Sequence, residues 1–343
     1  MTSGAGGGRR ALAGAAVTGV AVAALAVSAC GGSGGPPGPA GTGKGAPSGV
    51  ASAGSSPASA RSSRVGTSDS AASPAAPGGA TSIGAPSGRA VAQQRTTAQQ
   101  ADPFSAAVQE YLVGRAGTVL AAVYDVQTGQ SWQLGDGPAQ DEASVVKVDI
   151  LETLLSESDG AGLSAQSQSL AQQMIEDSDN DAATALWDAA GGADGLGAYN
   201  AQAGLTMTTP SPCVVCVDFP WPGWGLTTTV PYDQITLLKR IIGPSSLLTS
   251  AERSYALSLL ENVTPDQAWG ISGGVPAGVT VALKNGWLPL NDDDTDWQIN
   301  SEGWVSGDGR DYLISVLTTG NPDEQYGIDT VSGLSALVWT ALG

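Results

Sequence analysis

Apolar residues recur along the chain with two different periods, and the alternation between them predicts the order of elements. From Asp102 to Val113 they return every three or four positions, the spacing of an amphipathic helix. Val119 to Asp125 and Ser131 to Leu134 read as strands, and the turn Gln127-Thr128-Gly129-Gln130 between them predicts a hairpin. Helical spacing resumes over Ser144–Leu155, Ser164–Met174 and Asp181–Ala189, the last closed by Gly191-Gly192. Residues 205–230 carry Pro210, Pro212, Pro220 and Pro222 and keep neither period. Helices are predicted over Pro231–Ile242 and Ser250–Leu260, because Pro231 and Ser250 are good helix starters. Strand-like runs follow at Val279–Leu283, Trp297–Val305 and Tyr312–Thr319, the last two joined at Gly307-Asp308-Gly309. A helix over Val331–Leu342 ends the pattern. This order predicts an α+β fold: an antiparallel five-stranded sheet flanked by helices, beside a helical lobe.

The first hundred residues follow neither period. Residues 1–29 have a basic start (Arg9, Arg10), an apolar run from Ala11 to Val27 and a small-residue end. That pattern predicts an export signal, and the arginine pair points weakly to twin-arginine export. The stretch Ala26-Val27-Ser28-Ala29-Cys30 resembles the bacterial lipobox. The resemblance implies cleavage before Cys30, lipidation of its sulfur, and an anchor on the outer face of the cell membrane. Residues 31–100 are rich in Gly, Ser, Ala, Pro and Thr with almost no large apolar side chain, the composition of a disordered tether.

Composition changes from residue 101 onward. Residues 101–343 carry seven basic and 31 acidic side chains, a net charge of −24. Such a charge argues against nucleic acid as a partner. Cys213 and Cys216 form a C-x-x-C pair in a segment expected to be exported, which favours a short disulfide. The absence of histidine and of a second cysteine pair argues against a zinc site, and no other metal or cofactor is expected. Asp292-Asp293-Asp294 reads as a solvated loop, and Trp287, Trp297 and Trp304 read first as packing residues.

With no histidine, a Ser-His-Asp triad is excluded within this chain. Three short motifs supply another chemistry: Ser144-Val145-Val146-Lys147, Ser178-Asp179-Asn180 and Lys284-Asn285-Gly286. Only four lysines occur in the sequence, and two of them fall in these motifs. A lysine about one helical turn after a serine can take the serine's proton if its amine is neutral. Each motif alone is weak; in this order, on a helix, in an inter-helix loop and at a strand end, they form a coherent site.

Together the motifs resemble those of the serine β-lactamase and penicillin-binding protein superfamily, most closely class A β-lactamases, over roughly residues 103–343. Thr227-Thr228-Thr229-Val230-Pro231, Gly274 to Gly278 and Leu317-Thr318-Thr319-Gly320 fit the same pattern. The resemblance implies that Ser144 attacks an amide carbonyl, Lys147 is its base and Ser178 relays a proton. It implies that Asn180, Lys284, Asn285, Gly286 and Trp287 bind substrate. The N–H groups of Ser144 and of Trp287 or Leu288, with Trp287 favoured, would form the oxyanion hole.

The chain also departs from that family. No glutamate lies between Pro212 and Gly225, where class A enzymes carry the residue that activates the hydrolytic water; Asp218 is the only carboxylate there. Asn285 stands where threonine or serine is usual, and no arginine follows on the next strand. The expectation is a monomeric, membrane-tethered serine hydrolase acylated by β-lactams, with slow deacylation. The alternatives are a D,D-peptidase on peptidoglycan stem peptides and a non-hydrolytic binding lipoprotein.

Overall fold

The computed structural model describes residues 100–343, apart from Asp218 and Asp292. The export signal, Cys30 and the tether lie outside the described residues, as does Asp218. The elements run α1 (Ala106–Val113), β1 (Thr118–Asp125), β2 (Ser131–Leu134), β3 (Gln140–Asp141), α2 (Val146–Glu157), α3 (Ala165–Glu176), α4 (Asn180–Ala189) and α5 (Gly192–Ala203). They continue with β4 (Thr228–Thr229), α6 (Pro231–Ile242), α7 (Ser250–Glu261), β5 (Thr280–Pro289), β6 (Trp297–Gly307), β7 (Arg310–Asn321) and α8 (Glu324–Ala341).

Five strands form one antiparallel sheet in the order β2-β1-β7-β6-β5, as the apolar pattern predicts. Alternation along β7 sends Ile314 and Val316 into a core with Val108 of α1 and Val331, Leu334 and Val338 of α8. The opposite face carries Leu313, which packs with Ile235 and Leu238 of α6. The helical lobe has its own core, built from Ile150, Leu151 and Leu155 of α2, Met174 and Ile175 of α3, and Leu186 and Trp187 of α4. Each such side chain contributes about 1.5–3 kcal/mol on burial. Asp308 and Gly309 both take positive φ, which makes the two-residue turn between β6 and β7 follow the right-handed strand twist.

Four features differ from the sequence expectation. The helix α5 forms despite Gly192, Gly195 and Gly197, because Leu196, Tyr199 and Ala203 bury one face. The last helix begins at Glu324 rather than Val331, with Asp323 capping it through the Tyr326 N–H. The short pair β3–β4 brings residues 140–141 and 228–229 together. The strand β5 continues to Pro289, so Lys284-Asn285-Gly286 lies within the strand and not at its end.

Candidate active site

Ser144 sits in a tight 3-10 turn, Ala143–Val145, that leads directly into α2. Ala143 before it has φ 50°, a left-handed conformation that a residue with a Cβ adopts only when its surroundings impose it. The constraint is visible on both sides. The Glu142 N–H donates to Thr227 O at 2.8 Å, and the Asn300 side chain donates to Asp141 O and Glu142 O at 2.8 and 3.0 Å. From the third side β5, the edge strand of the sheet, presses on the turn at Gly286. A Cβ there would lie 2.7 Å from Ser144 N and from Glu142 O, so only glycine permits this approach.

Lys147 and Lys284 are both buried and share one partner. Lys147 Nζ donates to Ser178 O at 2.6 Å, to Ser178 Oγ at 3.0 Å and to Asn180 Oδ1 at 2.9 Å. Lys284 Nζ donates to Ser178 Oγ and to Asn285 O, each at 2.9 Å. Ser178 Oγ thus accepts from two amines, which leaves its own hydrogen free to be given away. Asn180, with its oxygen committed to Lys147, keeps its Nδ2 hydrogens for another acceptor.

Burial sets the charge of both amines. Lys147 is held well below the usual lysine range, first by desolvation and then by repulsion from Lys284, with Asp179 opposing. Desolvation brings Lys284 down to about 7, against the attraction of Glu302. The carboxylate of Glu302 lies on β6 directly across from Lys284 in the strand register. No hydrogen bond joins Lys147 to Ser144 Oγ among the described residues; the 3-10 turn leaves Lys147 aimed at Ser178 and Asn180.

Ser178 has φ 57°, so a second strained residue faces the same cleft. It follows α3, and Asp179 next to it caps α4 through the Ala182 N–H at 2.7 Å. The motif's aspartate therefore fixes the loop, while its serine and asparagine carry the chemistry.

Asn285 differs from the expectation of a substrate contact. Strand alternation turns its side chain to the other face of the sheet, where Nδ2 donates to Gln267 O at 2.6 Å. Only its carbonyl takes part in the lysine cluster. The Trp287 ring packs edge-on against Trp269, and the residue also borders the cleft beside Ser144.

The fourth wall is the irregular segment before α6. Cys213 and Cys216 are bonded, and Gly223 folds back so that its N–H donates to Val214 O at 2.6 Å. Phe219, Trp221 and Trp224 line the cleft with Ser144, Asn180 and Leu288, and leave about 30 Å³ of space. Trp224 is buried, its Nε1–H donates to Thr184 Oγ1 at 3.0 Å, and its ring centre is 5.1 Å from Lys147 Nζ.

Sequence reasoning missed the polar layer beneath the site. Glu142, Asp149, Glu152 and Glu302 are fully buried, and desolvation raises the pKa of each. Tyr199 donates to Glu152 at 2.5 Å. The available signal was the run Gln298, Asn300, Glu302, three polar residues at the period of one strand face.

Comparisons with known proteins agree with this architecture. A model of the β-lactamase enzyme family matches residues 152–342, and the chain belongs to that family. The matched stretch begins after Ser144 and Lys147, so the nucleophile turn rests on its own geometry. Among solved structures, TLA-1 extended-spectrum β-lactamase is 16% identical with a TM-score of 0.61, and the alignment covers 70% of this chain and 98% of that one. A β-lactamase from Chitinophaga pinensis is 19% identical with a TM-score of 0.60, covering 69% and 98%. One from Xanthomonas campestris is 18% identical with a TM-score of 0.59, covering 68% and 96%. The fold is that of class A β-lactamases. A search of curated proteins finds no match.

Proposed function

We propose that this chain is a serine acyl-transfer hydrolase that opens β-lactam amides and releases the product slowly. The observation that carries this reading is the shared contact of Lys147 and Lys284 with Ser178 Oγ beside the Ser144 turn. In the forward step a neutral Lys147 takes the Ser144 proton as Oγ attacks the carbonyl carbon. The N–H groups of Ser144 and Trp287 hold the oxyanion. The C–N bond then breaks, and the Ser178 hydroxyl gives its hydrogen to the leaving nitrogen. Ser178 recovers a proton from the amines that donate to it. Lys284, when cationic, attracts a substrate carboxylate, and Asn180 orients the substrate's side-chain amide through Nδ2. Glutamate is absent between Pro212 and Gly225, which supports slow loss of the acyl group. The same absence suits a D,D-peptidase that acts on peptidoglycan stem peptides, the second reading.

Lipidation at Cys30 would place the domain on the outer face of the membrane, joined to it by the Gly-, Ser-, Ala- and Pro-rich segment 31–100. A fluorescent penicillin tests the chemistry: it should label the wild type and not Ser144→Ala. Equal labelling of both would overturn the assignment, and no labelling of the wild type would favour a non-hydrolytic binding protein. Turnover of a chromogenic cephalosporin separates a β-lactamase from a peptidase.

A further inference from the structure

We infer that the Trp224 indole occupies the place a hydrolytic water and its base would need, and so makes the acyl-enzyme long-lived. The inference rests on the acylation reading above and assigns its slow step to a residue. Hydrolysis of the ester requires a water whose oxygen bonds to the acyl carbon while a base takes one of its protons. The C–Oγ bond then breaks, Ser144 Oγ regains a proton and the acid leaves. The water therefore needs a polar berth within reach of Ser144.

Trp224 closes that berth in three ways. It borders the cleft directly beside Ser144 and Asn180, and it is 2% exposed, so it cannot swing aside without opening the helical core it belongs to. Its single polar atom is spent on Thr184 Oγ1 at 3.0 Å, and an indole nitrogen only donates. Its ring faces Lys147, with Nζ 5.1 Å from the ring centre. Once Lys147 has taken a proton, that contact supplies some of the attraction a carboxylate would give the cation, and none of its capacity to accept a proton. The cleft that remains has room for water, but a held water needs two to four polar partners. Among the described residues of its lining, Ser144 and Asn180 bring polar side chains but no carboxylate, and Phe219, Trp221 and Leu288 offer mostly carbon.

The missing glutamate by itself predicts slow deacylation. The geometry adds that the cleft wall beside Ser144 and Lys147 is an indole, so restoring a carboxylate elsewhere on the loop should not restore turnover.

The test compares adduct formation and adduct loss by intact-mass spectrometry after a pulse of penicillin, in the wild type and in Trp224→Glu, Trp224→Gln and Trp224→Phe. Trp224→Glu should lose the adduct about 100-fold faster than the wild type, the low end of what a positioned base contributes. Trp224→Gln should show a smaller acceleration, and Trp224→Phe, which keeps a ring, should retain the slow loss. Because acylation and loss are read separately, a variant that acylates normally reports on water and not on folding. If the variants acylate but keep the wild-type adduct lifetime, the inference is overturned while the acylation reading stands. If the wild type forms no adduct, both fall. A measurement on the wild type alone covers variants that fail to fold: adduct loss should climb about tenfold per pH unit, as attack by bulk hydroxide requires, with no plateau. A plateau, or a slower loss in Asp218→Asn, would mean that a base already works in the site and would refute the inference.

Discussion

Lys284 Nζ donates to Ser178 Oγ at 2.9 Å, from a strand on one side of the cleft to a loop on the other. With Lys147 donating to the same oxygen at 3.0 Å, the hydroxyl hydrogen is the only group Ser178 has left to give. Both the proton path and the charge of the cleft depend on this one atom.

Removal of that atom should slow acylation by about 100-fold, the low end for a positioned proton donor. Ser178→Ala and Ser178→Gly should be equally slow. Their stabilities should differ, because a residue with a Cβ at φ 57° carries about 1–2 kcal/mol of left-handed strain. Thermal unfolding should therefore rank Ser178→Gly above Ser178→Ala. Fast acylation by either variant would remove Ser178 from the proton path.

Acylation efficiency should rise and then fall with pH. The rising limb is the loss of the proton from Lys147, whose burial and cationic neighbour lower its pKa. The falling limb is Lys284, a cation below about pH 7 and neutral above it. Glu302 lies across from Lys284 and favours the cation, so Glu302→Gln should move the falling limb to lower pH. Rates at several pH values with a carboxylate-bearing penicillin check this. A falling limb that does not move would separate Glu302 from Lys284.

Most elements and most of the site were legible in the sequence, for a physical reason. Periods of 3.6 and 2 record which face is buried, and Ser144, Lys147, Ser178, Asn180, Lys284 and Gly286 sit at spacings the chemistry fixes. The helix α5 was hidden because glycine weakens a helical signal that only tertiary burial of Tyr199 and Leu196 rescues. The buried Glu142, Asp149, Glu152 and Glu302 were hidden because carboxylates read as surface. Trp224 carried no signal in the sequence, because its position against Lys147 depends on a loop with no period. Alternation along β5 was available and already turns Asn285 away from Ser144.

The bond between Cys213 and Cys216 should steady the loop more than the whole domain. Closing so short a loop is worth about 2 kcal/mol by chain entropy. Cys213→Ser with Cys216→Ser should lower the unfolding midpoint modestly and increase proteolytic nicking between residues 212 and 222. Free thiols at both Cys213 and Cys216 in the freshly isolated, denatured and unreduced chain would contradict the pairing.

Cys30→Ala should remove the lipid, either releasing the protein or leaving its leader uncleaved. Fractionation together with the intact mass of each form checks this, and a Cys30→Ala protein that is still cleaved and still anchored would contradict lipidation at Cys30.

The most direct test of the central claim is intact-mass spectrometry over time after mixing the wild type with penicillin, followed by peptide mapping. The account predicts a mass increase of one penicillin per chain, localised to the peptide that contains Ser144, persisting through turnover and absent in Ser144→Ala. A chain that hydrolyses penicillin quickly with no observable adduct, or one that carries the adduct on another residue, would contradict it.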